Sequence, residues 1–135
     1  MREGWFATTH KLRFNDCDMG GHVNNAVYST MFEAGRTDLM AASGLALMRE
    51  PFAMVIVRIE IDYRHEMTWP GDVLVETAVA RIGTKSIHMR QAITAGGALS
   101  AEAVSVLAAI DRQTRRAVVL GQEWRDRFAP WTLPG

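Results

Sequence analysis

A single cysteine, Cys17, stands in this chain of 135 residues, so no intramolecular disulfide can form. That agrees with a reducing compartment. Long apolar runs are missing as well. None approaches a membrane span, and Met1 to Leu12 is polar and broken by charge where a secretory leader would be apolar. The expected location is cytoplasmic. Neither sign of charge is in excess, with 15 basic and 15 acidic residues and no polybasic run. This leaves no footprint for nucleic acid or an anionic membrane and points to a small-molecule partner. Internal repeats, linkers and low-complexity segments are also absent. A chain of this length supports one core, so residues 1–135 are read as a single domain.

The densest reactive chemistry lies in Asp16-Cys17-Asp18-Met19-Gly20-Gly21-His22-Val23-Asn24-Asn25. Two carboxylates precede a glycine pair that permits a tight turn, and an imidazole and two helix-capping residues follow. An apolar pattern at helical spacing begins at once: Val27, Tyr28, Met31, Phe32, Leu39 and Met40 recur from Asn25 to about Ser43, and Gly44 suits the left-handed position after a helix. A carboxylate beside the free N–H groups of a helix start suits attack on an activated carbonyl, because those donors favour developing negative charge. Gly35 in the helix interior implies close packing, since glycine there costs about 1 kcal/mol against alanine.

The remainder alternates with period two. Trp5 to Phe14 sets Phe6, Thr8, His10, Leu12 and Phe14 against Lys11 and Arg13. Val55, Val57, Ile59, Ile61 and Tyr63 alternate with Arg58, Glu60, Asp62 and Arg64. Further strands are expected over Val73–Ile82, Ser86–Ala95 and Ala98–Asp111, separated by turns at Trp69-Pro70-Gly71-Asp72, Gly83-Thr84 and Gly96-Gly97. A short strand at Ala117–Leu120, a terminal helix at Gln122–Phe128 and a loose tail from Pro130 complete the expectation. Short sequential connections imply an antiparallel sheet of five or six strands, and one broad apolar helix requires that sheet as its cover. The fold class is α+β.

The run Asp16–Asn25, with Tyr28, Glu33 and Arg36 downstream, resembles the hotdog-fold acyl-CoA thioesterases of the 4-hydroxybenzoyl-CoA and long-chain acyl-CoA type. Tyr63-Arg64, Pro70-Gly71-Asp72, Lys85-Ser86 and Ala109-Ile110-Asp111 fall in the same order as similar residues of that family. The resemblance implies one long helix wrapped by an antiparallel sheet, assembled as a homodimer or dimer of dimers with each active site between subunits. It implies acyl-CoA as substrate and no cofactor beyond the coenzyme A of the substrate. The carboxylate matching Asp18 attacks the thioester or activates water, and backbone N–H groups around Asn24 and Asn25 polarise its carbonyl. Lys85 and Ser86 match positions that contact the nucleotide of coenzyme A in some members. His22-Val23-Asn24-Asn25 resembles the fatty-acyl branches and the plant acyl-ACP thioesterases, whereas the aromatic acyl-CoA branch tends to be apolar at His22. Gly20 departs from the plant enzymes, which have Asn there.

Each residue also has a plainer role to weigh. Asp18 can form an Asx-turn; as a weak base near neutral pH, it needs desolvation or a nucleophilic role to act in catalysis, and the sequence leaves both open. Asp16 is read as structural, pairing with Arg13 or a backbone N–H. His22 either bonds a loop carbonyl or orients Asp18 or a water. Asn24 and Asn25 cap the helix, which serves the mechanism too. Glu33 and Arg36 are spaced for an i,i+3 pair. Flanking carboxylates oppose a Cys17 thiolate, so the thiol is read as inert. Calcium-loop spacing fails at Gly20 and Val27, and no second histidine supports zinc, so no metal is expected. Tyr28, Met31 and Phe32 belong to the core or line an acyl pocket. The rival functions are an acyl-ACP thioesterase, a non-catalytic acyl-CoA-binding protein, and a hydratase or dehydratase.

Overall fold

Alternating side chains, turn glycines and one amphipathic stretch arrange themselves into β1 (Phe6–Lys11), α1 (Asn25–Ala42), β2 (Phe52–Tyr63), β3 (Asp72–Ile82), β4 (Ile87–Ala95), β5 (Ala98–Asp111) and α2 (Gln122–Phe128). The computed structural model describes residues 2–135. Its five strands form one sheet in the order β1-β3-β4-β5-β2, every pairing antiparallel. Helix α1 packs on one face, making the helix-in-sheet architecture that the resemblance implied.

Local chemistry sets the helix ends as expected. Asn24 is the N-cap, its side chain accepting the Ala26 N–H at 2.9 Å. At the other end Gly44 has φ +98°, and the N–H groups of Gly44 and Leu45 donate to the carbonyls of Ala41 and Met40, closing a Schellman motif. Gly96 and Gly97, at φ +58° and +78°, form the two-residue turn between β4 and β5, with Ala95 opposite Ala98. Gly35 does have its packing reason: a Cβ there would lie 2.7 Å from Val75 Cγ1 and 2.9 Å from both Gln91 Nε2 and Thr77 Oγ1.

Five expectations are corrected. Strand β1 stops at Lys11, and residues 14–16 form a 3₁₀ turn instead, held by the Arg13 N–H donating to Asp16 Oδ2 at 2.8 Å. Phe14 is therefore 75% exposed and meets Trp69 edge-on. A register shift in β2 leaves Val57 unpaired and reverses the alternation, so Ile59, Ile61 and Tyr63 share the helix-facing side with Ala101, Ala103 and Ser105, while Val55 falls on the other side. Residues 117–120 do not form a strand, only a single bridge from Ala117 to Ile110, and the sheet stays at five. The tail is not loose: the Leu133 N–H donates to the Val79 carbonyl at 2.8 Å, and Trp131 stacks edge-on against Phe6.

The fifth concerns Arg36. Its guanidinium turns into the core and donates to Gln91 Oε1 at 3.1 Å rather than bonding Glu33. Burial lowers its pKa, opposed by the Glu33 charge. Gln91 also donates to the Phe32 carbonyl at 2.8 Å and to Thr77 Oγ1 at 2.9 Å. This polar belt separates two apolar clusters. One, with Tyr28, Phe32, Met67 and Ile93, lies toward the helix start; the other, with Leu39, Met89, Trp124 and Phe128, lies toward its end.

Candidate active site

The signature stretch folds as a loop closed on itself. Asp18 N–H donates to the His22 carbonyl at 2.9 Å, Gly21 N–H donates to the Asp18 carbonyl at 3.1 Å, and Cys17 bridges Val23. Gly21 takes φ +83°, which only glycine adopts without strain. Gly20 N–H donates to Asp18 Oδ1 at 2.9 Å, so the Asx-turn exists. It uses one lone pair of one carboxylate oxygen and leaves the exposed carboxylate able to act as base or nucleophile.

A second segment holds this loop from the side. The Val23 N–H donates to the Met67 carbonyl at 2.9 Å, and His22 is bridged to Thr68. That alignment sets His22 Nε2 3.1 Å from Glu66 Oε2. Glu66 was not singled out from the sequence. It lies far from His22 along the chain, in a stretch without a recognisable motif, and only the β2–β3 connection carries it there.

Asp18, His22, Asn25 and Tyr28 line one cavity of about 280 Å³, whose other side is formed by Tyr63, Arg64, His65 and Glu66. Tyr28 is buried. Its hydroxyl faces the His65 carbonyl at 3.5 Å, and its ring meets Tyr63 edge-on at 5.1 Å. Burial raises its pKa, against the opposing pull of the Met67 N–H, so the phenol stays protonated and able to donate.

The helix start divides its donors. Asn24 N–H is taken by the Asp16 carbonyl at 2.9 Å, Ala26 N–H by the Asn24 side chain, and Val27 N–H by the Asn24 carbonyl. Among the described residues the Asn25 N–H meets no acceptor. It opens at the end of the helix where the dipole is positive. Asn24 thus acts as the cap and Asn25 lines the cavity.

Lys85 and Ser86 lie elsewhere. They sit in the β3–β4 turn, and the eleven residues of β3 separate that turn from the signature loop by roughly 33 Å. Ser86 Oγ lies 3.1 Å from His88 Nε2, beside a depression of about 390 Å³ on the outer sheet face among Arg58, Arg81 and Arg90. No three His, Cys, Asp or Glu residues among those described are grouped as a metal would require. No described helix is long and apolar enough to cross a membrane.

Comparison with known proteins identifies the family and the fold. Residues 12–131 match the family described as the thioesterase-like superfamily. Over 125 residues the chain is 29% identical to the long-chain acyl-CoA thioesterase FadM of Escherichia coli, covering 90% of this chain and 95% of that one. A solved structure from Bacillus stearothermophilus, described as a predicted thioesterase, superposes with a TM-score of 0.86 at 31% identity, covering 97% of this chain and 99% of that one. A Staphylococcus aureus DHNA-CoA thioesterase shares the fold with a TM-score of 0.84 at 19% identity, covering 93% and 89%. The chain belongs to the thioesterase-like superfamily, as a hotdog-fold thioester hydrolase.

Proposed function

We propose that the protein hydrolyses an acyl-CoA, with a fatty acyl group favoured, to free coenzyme A and a carboxylic acid. The observation that carries this reading is the shared cavity: a carboxylate, a helix-start N–H and a buried phenol converge on one space large enough for a thioester. Asp18 either activates a water or attacks the carbonyl carbon itself. The developing oxyanion is met by the Asn25 N–H at the positive end of α1. Collapse of the tetrahedral species breaks the C–S bond, and the thiolate leaves and takes up a proton; on the nucleophilic route the acyl-Asp18 anhydride left behind is then cleaved by water, which releases the acid and restores the carboxylate. His22, tied to Glu66, is placed to orient the water or the Asp18 carboxylate. The chemistry calls for no cofactor or metal. Relatedness to a long-chain acyl-CoA thioesterase supports the fatty-acyl preference, and a cytoplasmic location suits a coenzyme A substrate.

A homodimer fits the same reading. Strand β2 is an open edge with Ile56 and Val57 exposed, the kind of edge that another chain covers. Antiparallel pairing of two β2 edges sets the Phe52 end of one copy beside the Tyr63 end of the other. The far end of the partner sheet, where Lys85 and Ser86 turn, then approaches this site and offers a cation to the nucleotide phosphates.

Release of free thiol from short, long and aromatic acyl-CoAs tests the activity, with the matched acyl-ACPs separating the two carriers. A second reading, an acyl-CoA-binding protein without turnover, draws on the bond from Gly20 N–H to Asp18, which gives that carboxylate a structural task. Binding without thiol release, unaffected by Asp18→Asn, would favour it.

A further inference from the structure

The cavity that holds Asp18 is small for a ligand of this class, at about 280 Å³ against the several hundred Å³ of most small-molecule sites. A second cavity of about 560 Å³ lies across the exposed His65–Glu66 segment, which forms a wall of both. Hydrogen bonds hold that wall on both sides. Met67 accepts the Val23 N–H from the signature loop, and the Ser100 carbonyl accepts the N–H groups of Arg64 and His65 at 2.8 and 3.1 Å. The backbone between the two cavities is therefore fixed, and a ligand that spans both runs over the exposed side chains of His65 and Glu66.

Leu12, Met67, Pro70, Ala95 and Ala98 give the second cavity an apolar side, beside the polar His65, Glu66, Thr68 and Asp72. Ala95 pairs with both Val73 and Ala98, which puts the two alanines on the helix-facing side of the sheet at its end. Next to them, Gly96 adds no side chain. No lysine or arginine lines the cavity, while Glu66 and Asp72 do. A phosphate would meet repulsion and no charged donor here. A hydrocarbon chain would be removed from water only against the apolar side, which Ala95 and Ala98 end.

Resting on the acyl-CoA thioesterase reading, we propose that this second cavity receives the acyl chain of the substrate, and that Ala95 and Ala98 at the β4–β5 hairpin set the length it accepts. The thioester carbonyl stays at Asp18 and Asn25, and the chain passes the His65–Glu66 wall to end on the two alanines. A larger side chain at either alanine shortens the space without touching the reacting groups.

The test compares butyryl-CoA with hexadecanoyl-CoA in wild type, Ala98→Leu, Ala95→Val and the widening variant Ala98→Gly. Ala98→Leu should lower kcat/KM for hexadecanoyl-CoA by about tenfold or more while leaving butyryl-CoA within about twofold. Equal losses on both substrates, or no change on either, would overturn the assignment. In parallel, a non-hydrolysable hexadecyl thioether of coenzyme A bearing a terminal diazirine is photolysed on the wild-type protein. Label on residues 95–98 supports the proposal, and label confined to other segments overturns it whether or not the variants fold. If the wild type releases no thiol from any acyl-CoA, the hydrolase reading fails, and the labelling still decides where the chain lies.

Discussion

His22 Nε2 and Glu66 Oε2 lie 3.1 Å apart, and the residues just after Glu66 pair with the signature loop, Met67 with Val23 and Thr68 with His22. Because both side chains reach toward solvent, the pair adds little stability, and the proposed function makes it an alignment device. Glu66→Gln and His22→Gln are each expected to lower kcat with little change in thermal stability. The double variant should be no slower than the worse single one, since the two act as a unit. Steady-state kinetics on all four proteins measure this; fully additive losses would assign Glu66 a separate role.

Asp18→Asn separates the turn from the chemistry. An asparagine oxygen can still accept the Gly20 N–H, so the loop should keep its shape while the anionic base or nucleophile is lost. The expected fall in kcat is at least about 10²-fold, the scale of losing a principal catalytic group. Circular dichroism and thiol release on the same sample report the two halves.

Gly35→Ala should destabilise, against the usual gain from placing alanine in a helix. A Cβ at 2.7 Å from Val75 Cγ1, and at 2.9 Å from Thr77 Oγ1 and Gln91 Nε2, forces the helix off the sheet. A loss of about 1–3 kcal/mol is expected, read from chemical denaturation.

His88 makes stability depend on pH. Partial burial, aided by Arg81 at 3.0 Å, holds its folded pKa below 6.5, so on acidification the unfolded chain binds its proton first. Its contribution is therefore neutral above about pH 7 and turns against the folded state as pH falls through 6.5 toward the folded value. In His88→Gln the melting temperature should fall less between pH 7.5 and 5.5 than in the wild type, by differential scanning calorimetry.

Val57→Lys should disrupt a dimer built on the β2 edge, because the residue is unpaired and 65% exposed where edges would meet. Light scattering is expected to show the monomer mass. Activity should fall with it, since the turn carrying Lys85 and Ser86 would no longer approach the site.

What the sequence made readable was governed by neighbours in the chain. Asn24 as cap, Gly44 as terminator and Gly96-Gly97 as hairpin are set by backbone conformation within a few residues, and each was placed correctly. Glu66 was hidden because its meeting with His22 depends on how β2 leaves the sheet. The extra residue at Val57 is hidden because Val55, Ile56 and Val57 are all apolar, so the alternation runs through them without a visible break. Helical spacing puts Arg36 beside Glu33, but tertiary packing offers it Gln91 instead. For Pro130 to Gly135, composition indicates a loose end, and only the contacts with Val79 and Phe6 show otherwise.

The polar belt has a mechanical meaning. Gln91 attaches at the midpoint of α1 through the Phe32 carbonyl and the Arg36 side chain, and the missing side chain at Gly35 lets the helix seat directly on Thr77. A rod fastened at its centre can neither slide along its support nor turn about its axis. The depth at which its first N–H group stands is consequently a property of the sheet, and on the proposed function any adjustment to an acyl group must come from the loops at either side.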